Sequence, residues 1–198
     1  MTAAQRGRGA MVDMQANQDE AIAKAFSAVP ERNTGDVILR TMQQHHVQLS
    51  VMADTKANIL ITVSSIILTL ILGKMSDPAL RAAMGTLAAF IFTALLLAVI
   101  TVLPKYRPLR VAPGAPLPPN FNLLFFGHFS ELPKERFLLA LADEMKADGS
   151  VYEAMARDVY GMGYYLAHFK YRFLRLSYLF FLGGFFFAAL VEAVHLLG

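Results

Sequence analysis

Cysteine and tryptophan are both missing from this chain of 198 residues. The first absence excludes disulfides and thiolate metal sites, and it leaves the redox compartment unread. Charge is scarce. Only 17% of residues are Asp, Glu, Lys or Arg, against about a quarter in a soluble domain. The net charge of +3 is too small to argue by itself for a nucleic-acid partner. A Gly-rich phosphate loop, an HExxH pair, a nucleophile elbow and a Ser-His-Asp order are also missing, so no catalytic constellation stands out. His45 and His46 have no third ligand at metal spacing, and adjacent histidines point from different helix faces, which argues against a metal site. No internal repeat is found. Residues Met1–Pro30 are polar and rich in small residues, and the first apolar run begins too late for a secretory signal. Residues 1–33 are expected to form a disordered N-terminal segment.

What the chain does have is apolar residues in long runs. They make up 56% of it, with a mean hydropathy of +0.44. Three runs approach the roughly 20 residues that a helix needs to cross the hydrocarbon core. They are Ala57–Gly73, Ala82–Leu103 (stopped by Pro104) and Leu176–Leu197. The first is short, and Val51, Met52 and Ala53 extend it backwards past Asp54 and Lys56. The basic residues set an orientation. Only Lys74 and Arg81 lie between spans one and two. Arg6, Arg8, Lys24, Arg32, Arg40 and Lys56 precede or enter span one. Lys105, Arg107, Arg110, Lys134, Arg136, Lys146, Arg157, Lys170, Arg172 and Arg175 lie between spans two and three. Three spans put both basic regions on one side. The expectation is a cytoplasmic N-terminus and an outside C-terminus.

The fold class read from this pattern is an all-α membrane protein, with two of its three transmembrane helices continuing as long cytoplasmic helices. Residues 34–104 hold a cytoplasmic helix and spans one and two. Val37–Ala53 contains no Pro or Gly, Thr34 or Asp36 can cap its start, and it should run on into span one. Residues 105–132 hold a Pro-rich connector and the turn Asn122-Leu-Leu-Phe-Phe-Gly127. Residues 133–198 hold cytoplasmic helices leading into span three. A helix is predicted from near Pro133 to Gly149, and Ser150-Val-Tyr-Glu153 reads as a capping box opening the next.

Span one carries unusual chemistry. Asp54, Asn58, Thr62, Ser65 and Thr69 recur every three or four residues and share one helix face. Lipid penalises such a face, so it should point at other helices or water. In the plain reading, Thr62, Ser65 and Thr69 satisfy their own backbone carbonyls and pack closely. In the sharper one they line a wettable path that opens on oligomerisation. Asp54 needs a partner near the membrane boundary. Lys56 lies nearly opposite it and can snorkel to the headgroups. Lys170, Arg172 or Arg175 is therefore the expected partner.

Two other segments admit two readings each. Leu123-Leu-Phe-Phe126 packs the cytoplasmic helices or rests in the interface, or else Phe125 or Phe126 stacks on a nucleobase while Asn120 or Asn122 reads its edge. Lys170-Tyr-Arg-Phe-Leu-Arg175 is a positive-inside anchor with aromatic neighbours, or a phosphate-binding run. Its Tyr171, Leu174 and Tyr178 share a face. Glu192 and His195 point to the outer interface, with a proton relay as the lesser reading.

Arg40-Thr-Met-Gln-Gln-His-His-Val-Gln-Leu-Ser50, then Ala53-Asp-Thr-Lys-Ala-Asn-Ile-Leu60 entering an apolar helix, resembles the transmembrane effector family of Pycsar antiphage defence. The later elements Asn122-Leu-Leu-Phe-Phe-Gly-His128, Asp158-Val-Tyr160, Lys170-Tyr171, Leu174-Arg175 and Ser177-Tyr178 agree in order. The resemblance covers about Val37 to Phe187. It implies a bacterial inner-membrane effector that senses cyclic UMP or cyclic CMP made by a pyrimidine cyclase and impairs membrane integrity. Some relatives look fused to an HD-type phosphohydrolase domain. This chain carries no such constellation, so no enzyme, no cofactor and no nucleic-acid partner are expected. A homo-oligomer is expected, because three helices cannot enclose a useful pore.

A cyclic mononucleotide has one negative charge, a ribose and a base. Arg40, Lys56, Lys170, Arg172 and Arg175 are the cations near the cytoplasmic mouth. Phe125, Phe126 and Tyr171 offer stacking surfaces, Gln48, Asn58, Asn120 and Asn122 offer amides, and Asp54 can steady a cation or the ribose. These residues define the expected pocket, between the ADTKAN and KYRFLR helices and under the NLLFFG turn. The competing functions are a constitutive scaffold binding a cytoplasmic partner, and a membrane-embedded hydrolase using Asp54 with His45 or His46.

Overall fold

The computed structural model describes residues 24, 33–104, 109, 111–112 and 115–197. The disorder expected of the N-terminal segment therefore falls almost wholly outside the described residues, as do Arg6, Arg8, Arg32, Lys105, Arg107, Arg110 and Gly198. Among the described residues every regular element is helical. These are α1 (Asn33–Lys74), α2 (Arg81–Val102), the single turn α3 (Phe126–Phe129), α4 (Lys134–Glu144), α5 (Asp148–Tyr165), a π-helical segment (Leu166–Lys170) and α6 (Tyr171–Leu197). Three helical stretches are long and apolar enough to cross a membrane, over Thr34–Lys74, Arg81–Val102 and Gly149–Leu197.

The chain divides into two compact units. One comprises Met1–Gln44 with Tyr106–Gly161, the other His45–Lys105 with Met162–Gly198. The second is the membrane unit. Its core centres on Ala53, Ala57, Leu60, Ala98 and Leu174, with a second cluster of Ile71, Leu87, Ile91 and Ala188. Small residues at these contacts let helices approach where lipid gives no hydrophobic drive to associate. Gly184 shows the closeness: a Cβ placed there would lie 2.9 Å from Cβ of Phe90. Ser177 Oγ donates to the carbonyl of Ala94 at 2.6 Å, a buried bond between α2 and α6. α2 runs antiparallel to α6, since Ala98 meets Leu174 while Ile91 meets Ala188. α1 runs parallel to α6: Tyr171 Oη donates to the Leu49 carbonyl at 3.1 Å, and Tyr178 Oη reaches the Lys56 carbonyl at 3.5 Å. α2 ends because Leu103 precedes Pro104. That position disfavours helical backbone, and Leu103 is extended at φ −61, ψ 127.

The first unit is polar. Arg136 donates to the carbonyls of Ala112 and Ala115, tying the Pro-rich connector to α4. Arg157 Nη1 donates to the Pro119 carbonyl at 2.7 Å. Asp158 accepts from Asn122 Nδ2 and from Gln43 Nε2, both at 3.0 Å.

Three local expectations are corrected. α1 begins at Asn33, so Thr34 and Asp36 lie inside its first turn instead of capping it. α4 stops at Glu144, well before Gly149, which falls in the first turn of α5. Ser150 forms no capping box. Its hydroxyl turns back and donates to the carbonyls of Glu144, at the end of α4, and Ala147, just ahead of α5. The last carbonyls of a helix lack partners just as its first N–H groups do, and here the one at Glu144 competes for the serine. Glu153 is taken instead by Arg157, at 2.6 Å.

Candidate functional site

In the membrane unit the geometry centres on Asp54. Lys170 Nζ lies 2.7 Å from Asp54 Oδ2 and 2.6 Å from Ser50 Oγ. The lysine side chain is 8% exposed and the aspartate 39%, so the cation is the more deeply held partner. Of the three partners expected for Asp54, Lys170 is the one brought to it. Arg172 and Arg175 are exposed on α6, and Lys56 is exposed on α1. Lys170 closes the π-helical segment, whose wider turn is a local departure that often marks functional positions. The other carboxylate oxygen, Asp54 Oδ1, is buried with no hydrogen-bond partner among the described residues, as are His46 Nδ1 and Ser64 Oγ. His46 lies against Gly163, where a Cβ would be 3.2 Å from its ring. Tyr171 is packed against the core while its hydroxyl is spent on Leu49. Gln48 and Asn58 are exposed.

The stripe on α1 takes the plain hydrogen bonds. Thr62 Oγ1 donates to the Asn58 carbonyl at 3.0 Å, Ser65 Oγ to Ile61 at 2.8 Å and Thr69 Oγ1 to Ser65 at 3.0 Å. All three are nevertheless exposed. The core face of α1 is instead Ala53, Ala57, Leu60, Ser64 and Ile71.

In the first unit, Phe121, Asn122, Leu123, Glu144, Ser150, Glu153, Ala154 and Arg157 line a cleft of about 300 Å³. That is at the small end of ligand-site volumes. Burial raises the Glu144 carboxyl above its ordinary 4.5, with the nearby Glu153 adding to the rise and Arg157 opposing it. Beside the cleft the Asn122 N–H donates to His128 Nδ1 at 2.9 Å, and burial lowers the His128 imidazole below 6.5. The Asn122 side-chain oxygen accepts the Leu124 N–H at 2.9 Å, so both ends of that amide are engaged. Phe125 lies edge-on to His128 at 5.2 Å. Its ring covers Gly127 so closely that a Cβ there would sit 2.4 Å from it, which leaves glycine as the fitting residue. Phe126 is exposed, as are Asn120 and Arg40. The sequence assigns no ligand contact to Phe121, Glu144, Glu153 or Arg157. The Glu153/Arg157 spacing of four was the available signal, and it also fits an ordinary helix surface pair.

These features define a class: a helical membrane protein with three apolar spans, a buried lysine paired with an aspartate in its membrane unit and a polar helical unit carrying a cleft. The family follows from comparison. The Pycsar effector protein domain matches residues 37–196, and the chain belongs to that family. Comparison with curated proteins and with solved structures returned no match.

Proposed function

We propose that this chain is a non-catalytic effector of the bacterial inner membrane that senses a cyclic pyrimidine mononucleotide, cyclic UMP or cyclic CMP, and impairs membrane integrity in antiviral defence. A pyrimidine cyclase supplies the signal, and the working form is a homo-oligomer. The observation that carries this reading is the family match across the three spans and the polar unit together.

We assign the nucleotide to the cleft of the first unit. Phe121 offers an aromatic face, Glu144 and Glu153 accept from ribose hydroxyls and base N–H groups, and Arg157 is the cation beside the single phosphate charge. The exposed Lys56, Arg172 and Arg175 of the membrane unit are the rival phosphate contacts. Calorimetry of cyclic UMP and cyclic CMP against the detergent-solubilised full chain separates them. Loss of binding in Arg157→Lys and Glu153→Gln, with Lys56→Ala and Arg175→Ala unchanged, supports the cleft; the reverse moves the ligand to the membrane unit. No binding by the unaltered chain defeats the sensing reading. In parallel, dye-filled liposomes carrying the protein should leak only when the nucleotide is added. A constitutive scaffold would leave them sealed with or without it.

A further inference from the structure

The surface of α1 within the membrane is divided. At about 100° of turn per residue, Ile59, Val63, Ile66 and Leu70 form one exposed face, and Asn58, Thr62, Ser65 and Thr69 form another beside it. Neither is covered by α2 or α6, which pack on the opposite face through Ala57, Leu60 and Ile71. Hydrocarbon suits the branched apolar face. It does not suit the other, where no described residue bonds the Asn58 carboxamide. The three hydroxyls are satisfied within the helix, but the amide carries two donors and an acceptor that lipid cannot meet.

We propose that this second face is the contact between copies of the chain, with Asn58 of one copy hydrogen-bonded to Asn58 of the next. Copies inserted in the same orientation hold identical residues at identical depth, so each amide meets one with the complementary donor and acceptor. Thr62, Ser65 and Thr69 then stack along the seam with short side chains that allow close approach. The inference deepens the assembly part of the proposed function and rests on it.

The lack of cysteine makes the test clean, because any introduced thiol is the sole one. Single variants Thr62→Cys, Thr69→Cys, Val63→Cys, Ile66→Cys and Phe92→Cys are oxidised in native membranes, with and without nucleotide. The expected result is a species at twice the chain mass for Thr62→Cys and Thr69→Cys, at least about fivefold stronger than for Val63→Cys or Ile66→Cys. Asn58→Leu in the Thr62→Cys background should remove it, and Asn58→Gln should retain it. Equal crosslinking at Ile66, or at Phe92 in place of Thr62, overturns the face while leaving an assembly. Labelling of Thr62→Cys by a charged thiol reagent without crosslinking means a water-lined surface and also overturns it. A monomeric mass in every extract, with no crosslink at any position, defeats the assembly reading as well.

Discussion

At the scale of single residues, the pairing of Lys170 with Asp54 is the sharpest constraint in the membrane unit. A lysine whose side chain is 8% exposed has traded most of its hydration for one carboxylate and one serine. Removing either partner alone strands the other, whereas removing both leaves no uncompensated charge. In a double-mutant cycle read by thermal unfolding in detergent, Asp54→Leu and Lys170→Met should each destabilise. The double variant should recover about 1–3 kcal/mol relative to their sum. Strict additivity would show that the pair is not coupled. The aspartate and its need for a basic partner were legible in the sequence, because a carboxylate beside an apolar run cannot stand alone. That Lys170 is chosen over Arg172 and Arg175 was not. The choice depends on which residue the π-helical turn aims inward, and hydrophobic periodicity carries no mark of that turn.

At the scale of elements, the apolar runs gave the spans because length and hydropathy are local properties. Helix ends in the polar region were less readable. Ser150 had the sequence of a cap but was claimed by the carbonyls of Glu144, which ends the preceding helix, and of Ala147 in the turn, a competition that pattern alone does not rank. Among the contacts between helices, Gly183 and Gly184 lie against Phe90. Gly184→Leu should push α6 from α2 and destabilise the membrane unit by about 1–3 kcal/mol. Ala89→Leu, on an exposed part of α2, should be near neutral. Unfolding in detergent compares them, and equal effects would argue against a close α2–α6 contact.

At the scale of the whole molecule, an antiparallel α2 between parallel α1 and α6 agrees with an odd number of crossings. Which side of the membrane the termini occupy rests on the distribution of Lys and Arg. Gly198→Cys should therefore react with an impermeant maleimide on intact spheroplasts, and exclusively internal labelling would reverse the orientation. The candidate site was the least legible part. Of the residues expected to hold a ligand, Asn122 lines the cleft; Glu144, Glu153, Arg157 and Phe121 join it there only once α4, α5 and the connector fold back on one another.

The π-helical segment also limits which changes of length the chain tolerates. A π turn holds more residues than an α turn, so it sets the angular offset between Gly163, which faces His46, and Lys170, which faces Asp54. Deleting Ala167 would leave hydropathy and charge almost untouched. It would still rotate one of those two positions relative to the other, by as much as about 100° where the remaining turns keep their pitch. The helix would then have to give up either the histidine contact or the ion pair. A gap of one residue in this stretch is thus a more severe change than most substitutions within it.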